Sequence, residues 1–359
     1  MFRSLMLPGI KFMGRLSYAS KFSLISFLFL VPLVILSGQV FLAAFDSMKK
    51  TEREINAVHS VELLLAFAEE LEIVRDISAA AVIQSDQALR DEATRLIGLL
   101  PQKTKTLIDQ LDDDNLITTI EEWRSQYLGR FSIVGEQRQP AFLDQFNYFQ
   151  TNIEEIYLTA RQYAQTSGLT LDSDDTIQRL TSTLLIDLPQ VEKAAGLGHS
   201  AGIYAFAEQY LQSSTYDLMN LIYDEILAAE QGTELVMANA EVTGDAALAD
   251  NARNVLAFLN DLRMTLDEQV IMAASIERPW QDFHNYYLEA SSVFDNMRGN
   301  AFPLLQTRLE ERLAGQTTRV TTLVTVLLVT LSIIVYLYLS FFMSVRATIK
   351  SFTKTAGVV

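Results

Sequence analysis

The sequence has 359 residues, of which 28 are basic and 44 acidic, and its formal charge at pH 7 is −16. It contains no cysteine, which excludes disulfides, thiolate metal ligands and a cysteine nucleophile. A hydrophobic content of 49% excludes wholesale disorder, and the low counts of glycine (15) and proline (7) disfavour an all-β domain. Three histidines, His59, His199 and His284, stand far apart in the sequence. We therefore expect no enzyme activity, no catalytic residues, no cofactor and no metal site.

The charges divide the chain into three parts. Residues 1–45 carry four bases and no acid, and residues 345–359 carry three bases and no acid. Residues 46–319 hold all 44 acids and the other 21 bases, which gives this middle part a formal charge of −23. So acidic a surface argues against binding of nucleic acid, which requires a basic footprint.

Two uncharged runs separate these parts, at residues 22–45 and 320–345. They are 24 and 26 residues long, and a helix of about 20 apolar residues crosses the hydrocarbon core of a bilayer. We therefore predict two transmembrane helices. A cleaved secretory signal is the alternative for the first run, but its apolar core is longer than the usual 7–15 residues.

The basic flanks predict the orientation of both spans. Residues 1–21 precede the first run and residues 346–359 follow the second, and both flanks are basic and free of acid. Because basic flanks stay on the cytoplasmic side, we expect both termini to be cytoplasmic and residues 46–319 to lie outside.

Residues 46–319 show the apolar periodicity of helices. Leu64, Phe67, Leu71 and Val74 recur at 3-4-3 spacing, which forms one apolar stripe along a helix. Sustained alternation typical of strands is absent from the sequence. Polar and glycine-containing breaks, including one at Gly196–Gly198, divide this part into predicted helices at 46–84, 87–111, 116–134, 140–166, 173–195, 199–242, 246–277 and 279–318.

Eight helices in this part predict an all-α fold with two stacked four-helix bundles, residues 46–166 and 167–319. A weak internal repeat supports the division: aligning Asp86 with Asp245 gives eight identities over 22 positions. Trp123 and Trp280 fall at nearly the same offset. We favour duplication of one module, and chance similarity between amphipathic helices is the alternative.

Motifs for nucleotide or metal chemistry are absent from the sequence. Neither a P-loop nor a dinucleotide fingerprint occurs. The acids at 112–114 lack the ligand spacing and glycine of a calcium loop, so we interpret them as a solvated loop with a helix N-cap.

Three stretches carry a resemblance to a known class of protein: residues 1–36, 167–202 and 336–359. The chain resembles the N-terminal sensory half of bacterial transmembrane receptors, that is, methyl-accepting chemotaxis receptors, sensor histidine kinases and diguanylate cyclases. The resemblance implies an inner-membrane protein with a periplasmic helical sensor, working as a homodimer in contact with membrane lipid. Residues 346–359 look like the start of a cytoplasmic HAMP linker, with Arg346 as a signal-relay residue. We expect the chain to be a fragment of a longer receptor, the alternative being a sensor-only protein.

The resemblance also implies a small-molecule site between helices, of unknown ligand. Arg75 interrupts an apolar stripe and could clamp a carboxylate, nitrate or similar anion. Alternatively, Arg75 pairs with an acid such as Glu72 or Asp76. The remaining ligand-binding candidates are Trp123, Arg124 and Tyr127 in the first module, and Arg278, Trp280 and Tyr287 in the second.

Two functions follow from these expectations. The first is a receptor that senses a periplasmic small molecule and relays the signal by helix displacement to a cytoplasmic output such as chemotaxis. The second is a membrane-anchored helical module that docks a periplasmic protein, for example a solute-binding protein, and has no small-molecule pocket.

Overall fold

The computed structural model describes residues 12–16, 18–82, 86–128, 142–172, 174–210 and 213–356. Within these ranges the chain is helical and contains no strand, which confirms the all-α fold class. After a short helical stretch at residues 12–15, the α-helices in the described ranges are α1 (Tyr18–Ala80), α2 (Gln87–Gln110), α3 (Asp114–Tyr127), α4 (Phe142–Ser167), α5 (Asp175–Ser182), α6 (Leu188–Glu208), α7 (Ser213–Thr243), α8 (Ala246–Leu266), α9 (Trp280–Ala290) and α10 (Ser292–Ala356). Short π-helical segments follow α5 and α8, at Thr183–Asp187 and Asp267–Ile271.

The chain forms two compact units. One comprises Met1–Thr51 with Glu311–Val359, and the other comprises Glu52–Glu310. We call them the apolar unit and the helical unit.

Helices α1 and α10 each contain a segment that is long and apolar enough to cross a membrane, as predicted. None of the residues in the most apolar window of either helix is buried. Within the apolar unit the two helices contact each other, because the hydroxyls of Ser23 and Tyr338 lie 2.7 Å apart. Hydroxyls such as that of Thr325 donate to the carbonyl four residues earlier, which satisfies them without an outside partner.

Aspartate side chains cap the starts of α2, α3, α5 and α8 in the helical unit. Asp86 and Asp245, the two residues aligned by the internal repeat, each accept a hydrogen bond from the backbone amide three residues later, at 2.9 Å. Asp113 and Asp174 cap α3 and α5 in the same manner. Such caps satisfy amides that have no partner within the helix, and they place the helix starts close to where the sequence predicts them.

Buried apolar residues of the helical unit form one contiguous core. The stripe of Leu64, Phe67, Leu71 and Val74 is buried in it, as the periodicity predicts. Helix α7 packs against α6 and α8, and α9 packs against α6. The division into two modules at residue 166 stays a prediction, as does their duplication.

Several predicted helix boundaries are wrong. Gly196 and Gly198 do not break a helix but lie buried inside α6, where a side chain would collide with neighbouring helices. The break comes instead at Gln209, which adopts a left-handed backbone with φ of 58° and ends α6. The helix predicted at 279–318 is interrupted at Ser291, between α9 and α10. The end of the helix predicted at 116–134 lies outside the described residues.

The close approach of α6 and α9 predicts a stability difference between two glycine substitutions. A Cβ atom at Gly202 would lie 2.2 Å from the buried ring of Phe283, whereas one at Gly232 in α7 would meet nothing within 4 Å. We expect Gly202→Ala to destabilise the protein by about 1–3 kcal/mol through overpacking. Gly232→Ala should stabilise it by about 0.5–1 kcal/mol because alanine favours the helix. Thermal unfolding of the full chain in lipid nanodiscs, followed by circular dichroism, measures both, and equal effects would contradict this packing.

Candidate functional site

Arg75 lies at the centre of a polar cluster inside the helical unit. Its side chain is fully buried, and its Nε donates a hydrogen bond to Oδ1 of Asp76 at 2.8 Å. Its Nη1 donates to Oε1 of Gln150 on α4 at 2.5 Å and lies 3.6 Å from Oε1 of Glu72. The pairs with Glu72 and Asp76 are those of the alternative interpretation of this arginine. A ligand role for Arg75 stays a prediction.

Two features fix the position of the Arg75 guanidinium. It stacks 4.5 Å above the ring of Phe146, a cation–π contact from α4. On another side it faces Gly196 of α6, where a Cβ atom would lie 1.9 Å from Nη2. Glycine at 196 therefore makes room for the arginine. Nη2 is buried and finds no hydrogen-bond acceptor among the residues that the structure describes.

Two histidines extend the cluster from Asp76. Nδ1 of His199 lies 2.9 Å from Oδ2 of Asp76, and Nε2 of His199 lies 3.0 Å from Nδ1 of His284. A carboxylate accepts, so we assign the His199 proton to Nδ1. Nε2 of His199 is then an acceptor, and His284 donates to it from Nδ1. His199 and His284, which stand far apart in the sequence, thus form a hydrogen-bonded pair.

The pKa values of both histidines are lowered. Burial lowers the pKa of His199 despite the opposing effect of Asp76. Burial and the neighbouring His199 together lower the pKa of His284 to about 4. The pair is therefore neutral in the folded protein at pH 7. A first proton is accommodated at Nε2 of His284, since Nδ1 continues to donate to His199, whereas a second proton would break the bond between the rings.

Tyr287 and Trp280 surround the histidine pair. The ring of Tyr287 stacks on that of His199, with centroids 3.7 Å apart and planes within 5°. The ring centroids of Trp280 and His284 lie 6.3 Å apart, and Nε1 of Trp280 donates to Oδ2 of Asp86 at 2.8 Å. The structure thus brings Arg75, Tyr287 and Trp280 of the predicted site residues into one region.

A second ionic cluster centres on Arg298 of α10. Its Nη2 donates to Oε2 of Glu192 on α6 at 2.5 Å, and its Nη1 lies 3.3 Å from Oε2 of Glu69 on α1. The hydroxyl of Tyr157 lies 3.3 Å from Oε1 of Glu72 and 3.4 Å from Oε2 of Glu192. Glu72 also contacts Arg75, so the two clusters form one network that joins α1 to α10.

Burial raises the carboxyl pKa values in this network, and neighbouring acids, which outnumber the arginines, contribute further. Burial raises the pKa of Glu69 to about 8, and its hydrogen bond with Asp295 contributes. Burial also raises the pKa of Glu72 and of Glu192, against the opposing charge of the arginines. At neutral pH the network therefore holds protons on part of its carboxyls, because two guanidinium groups do not neutralise all of them.

The remaining predicted site residues lie apart from the network. Trp123 is buried against the ring of Phe67, and its Nε1 donates to the carbonyl of Asn152 at 3.4 Å. Phe67 lies on α1, about two turns before Arg75. Arg124 is exposed and Tyr127 half-buried. The structure does not place these three beside Arg75.

Arg278 and Arg346 also lie away from the network. Arg278 is half-buried, and its guanidinium donates to Gln269 and to the carbonyl of Asp282 while lying over the ring of Phe283. Arg346 belongs to α10, but its side chain lies outside the described residues.

Residues that sequence reasoning missed make up most of the network. A signal for some of them was present: Gln150 and Tyr157 are seven residues apart on α4, and Glu192 and His199 are seven apart on α6. That spacing places each pair on one helix face. A polar pair on a face that is otherwise apolar indicates a buried polar contact.

The neutral histidine pair predicts a pH dependence of stability. A histidine in the unfolded chain takes up a proton near pH 6.5, whereas His284 does so near 4, so its contribution to stability is lost as the pH falls from 6.5 towards 4. Glutamates with raised pKa values act oppositely, adding stability as the pH falls from about 8. Comparing the pH dependence of stability in a histidine variant with that in the wild type therefore separates the contribution of His284 from that of the glutamates.

We expect His284→Gln to lose less stability than the wild type between pH 7 and pH 5, by about 1 kcal/mol after allowance for partial exposure. Thermal unfolding of the full chain in nanodiscs at both pH values provides the measurement. The exposed His59, replaced by glutamine, serves as the matched control and should behave like the wild type. Equal pH slopes for His284→Gln and His59→Gln would contradict the neutral pair.

Comparison with known proteins adds no family to these observations: no protein-family model matches the chain, and no curated protein or solved structure is significantly similar to it.

Proposed function

We propose that the protein is a transmembrane signalling receptor of a bacterial inner membrane. Its helical unit is periplasmic, both termini are cytoplasmic, and it works as a homodimer whose apolar segments contact lipid. A change in the helical unit is relayed by displacement of α10 relative to α1 to a cytoplasmic output, for which a HAMP-like segment begins near Arg346.

The observation that carries this proposal is the buried network between α1 and α10. Glu72 and Arg75 belong to the helix that contains the first apolar run, and Arg298 belongs to the helix that contains the second. The network connects these helices through Tyr157 and Glu192. A change in its protonation or pairing therefore acts on both helices.

Signalling through such a network requires two packings that differ in the ionic contacts they make. A ligand shifts the balance between them by no more than its differential affinity for the two. Breaking one partner of a buried ion pair leaves an uncompensated charge, which typically costs 3–5 kcal/mol. An anionic ligand that competes with Asp76 or Glu72 for Arg75 would exert such an effect, and this is the role we propose for Arg75.

The test uses the register of α1 against α10 inside the apolar unit. Nε2 of Gln316 donates to Oγ of Ser47 at 3.1 Å, so these two side chains meet. Cysteines at both positions, in a chain that otherwise lacks cysteine, form a disulfide at a rate that depends on how closely and how often the two Cβ atoms approach. In nanodiscs, Arg298→Met should change the rate of disulfide formation about fivefold or more. Arg253→Met, at an exposed arginine of α8, removes the same charge and should leave the rate unchanged.

An unchanged rate in Arg298→Met, with helix content retained, would contradict the coupling of the two helices. Glu192→Gln offers a milder second variant should Arg298→Met fail to fold. In the ligand arm, amino acids, organic acids, nitrate, polyamines and divalent cations are added to the same disulfide assay. We expect an anion to change the rate, and Arg75→Met to abolish that change.

A further inference from the structure

Helix α7 presents an acidic surface with an exposed apolar stripe. Over its 31 residues it contains no lysine or arginine. Leu221, Leu235 and Val242 are 49%, 59% and 49% exposed, and Ala228 between them is also exposed. Its acids are Asp217, Asp224, Glu225, Glu230, Glu234 and Glu241.

Beside this stripe, α6 and α7 enclose a groove of about 510 Å³. Its lining includes the small residues Ala194 of α6 and Ala229 and Gly232 of α7, together with longer side chains of both helices. A Cβ atom at Gly232 would meet nothing within 4 Å, so the groove is open at that point. Leu235 lies at its edge, where its side chain would contact an occupant.

Three acidic residues line the groove. Glu225 and Glu234 line it from α7, and Asp187 lines it from the π-helical segment before α6. The lining also includes Lys193, but its Nζ is already 3.2 Å from Oε1 of Glu154. The groove is therefore lined by apolar residues and by three carboxyl side chains.

The spacing of the stripe indicates what kind of element covers it. Leu221, Ala228, Leu235 and Val242 repeat every seven residues, the period at which one helix packs along another. They extend over about 32 Å, or six helical turns. A second copy of α7 would bring like charges together, and α7 itself contains no base to pair them, which is unfavourable. A helix with basic flanks would be complementary.

We propose that the groove between α6 and α7 and the adjoining stripe dock a basic amphipathic helix of a partner protein. Apolar side chains of the partner lie on Leu221, Leu235 and Val242, and one of them enters the groove at Gly232. Lysines or arginines of the partner face Glu225 and Glu234. This inference does not depend on signal relay between α1 and α10.

The test measures reactivity of one cysteine, placed at Leu235 in a chain that has none of its own. If the partner helix covers the groove in nine-tenths of the molecules, the cysteine of Leu235→Cys is accessible in only one-tenth of them. In native membranes it should then react with a maleimide about tenfold more slowly than in purified protein in nanodiscs. Washing the membranes with about 1 M KCl should restore the fast rate, because salt screens the partner's charges. Leu171 is 72% exposed and does not line the groove, so Leu171→Cys should react equally fast in every preparation.

Added substitutions test the groove directly. Gly232→Trp fills it without a clash at Cβ and should abolish protection of Leu235→Cys, as should the charge reversal Glu234→Lys. Gly98→Trp, at an equally open glycine of α2, should leave protection intact. Equal reactivity in membranes and nanodiscs would overturn the proposal. Protection that survives purification would indicate a second copy of this chain in the groove and would also overturn the proposal. Protection that resists salt would indicate an uncharged occupant and would overturn it too.

Discussion

Burying a guanidinium inside a helical bundle requires carboxylates to accompany it, because an unpaired charge in an apolar core is too costly to keep. Arg75 is completely buried, and Asp76, Glu72 and Gln150 surround it. Its presence accounts for neighbouring features that have no other evident reason, including glycine at position 196. The position of His199 follows as well, since Asp76 holds Arg75 with one oxygen and the histidine with the other.

The network is polar, buried and unevenly charged, and these properties make it responsive. A core of apolar residues has one packing, whereas a buried carboxyl whose pKa is raised to about 8, such as that of Glu69, exchanges its proton close to physiological pH. Glu69 titrates near 8 and His284 near 4, and between these values the protons are distributed over a shared set of groups. Ligand binding, a change in pH or loss of one arginine would alter the same distribution. Replacing a buried ion pair by apolar residues often makes a protein more stable, so stability alone does not explain such a network. Signalling is the role that we propose for it.

Charge distribution, apolar runs and helical periodicity predict the fold class and the two long apolar helices, because these properties depend on local sequence. Helix starts at Asp86, Asp113 and Asp245 are predictable for the same reason. The interpretation of Gly196 and Gly198 as a helix break failed because tertiary packing decides their role, and the sequence does not show which side chains approach them. Arg75 was recognisable as an anomaly on an apolar stripe. His199 and His284, 85 residues apart, meet through the packing of α6 against α9, which no local pattern predicts.

Non-additivity between Arg75 and Arg298 tests most directly whether their clusters form one network. The measurement is a double-mutant cycle with Arg75→Met and Arg298→Met, scored by unfolding free energies of the full chain in nanodiscs at pH 7. Glu72 interacts electrostatically with both arginines, and the two like charges repel each other. Removing either arginine should therefore cost more when the other is already absent than it costs in the wild type. We predict a coupling of at least about 0.5 kcal/mol in that direction, against near-additivity when Arg75→Met is combined with the exposed Arg253→Met. Additive effects of Arg75→Met and Arg298→Met would show two independent ion clusters and would contradict the account.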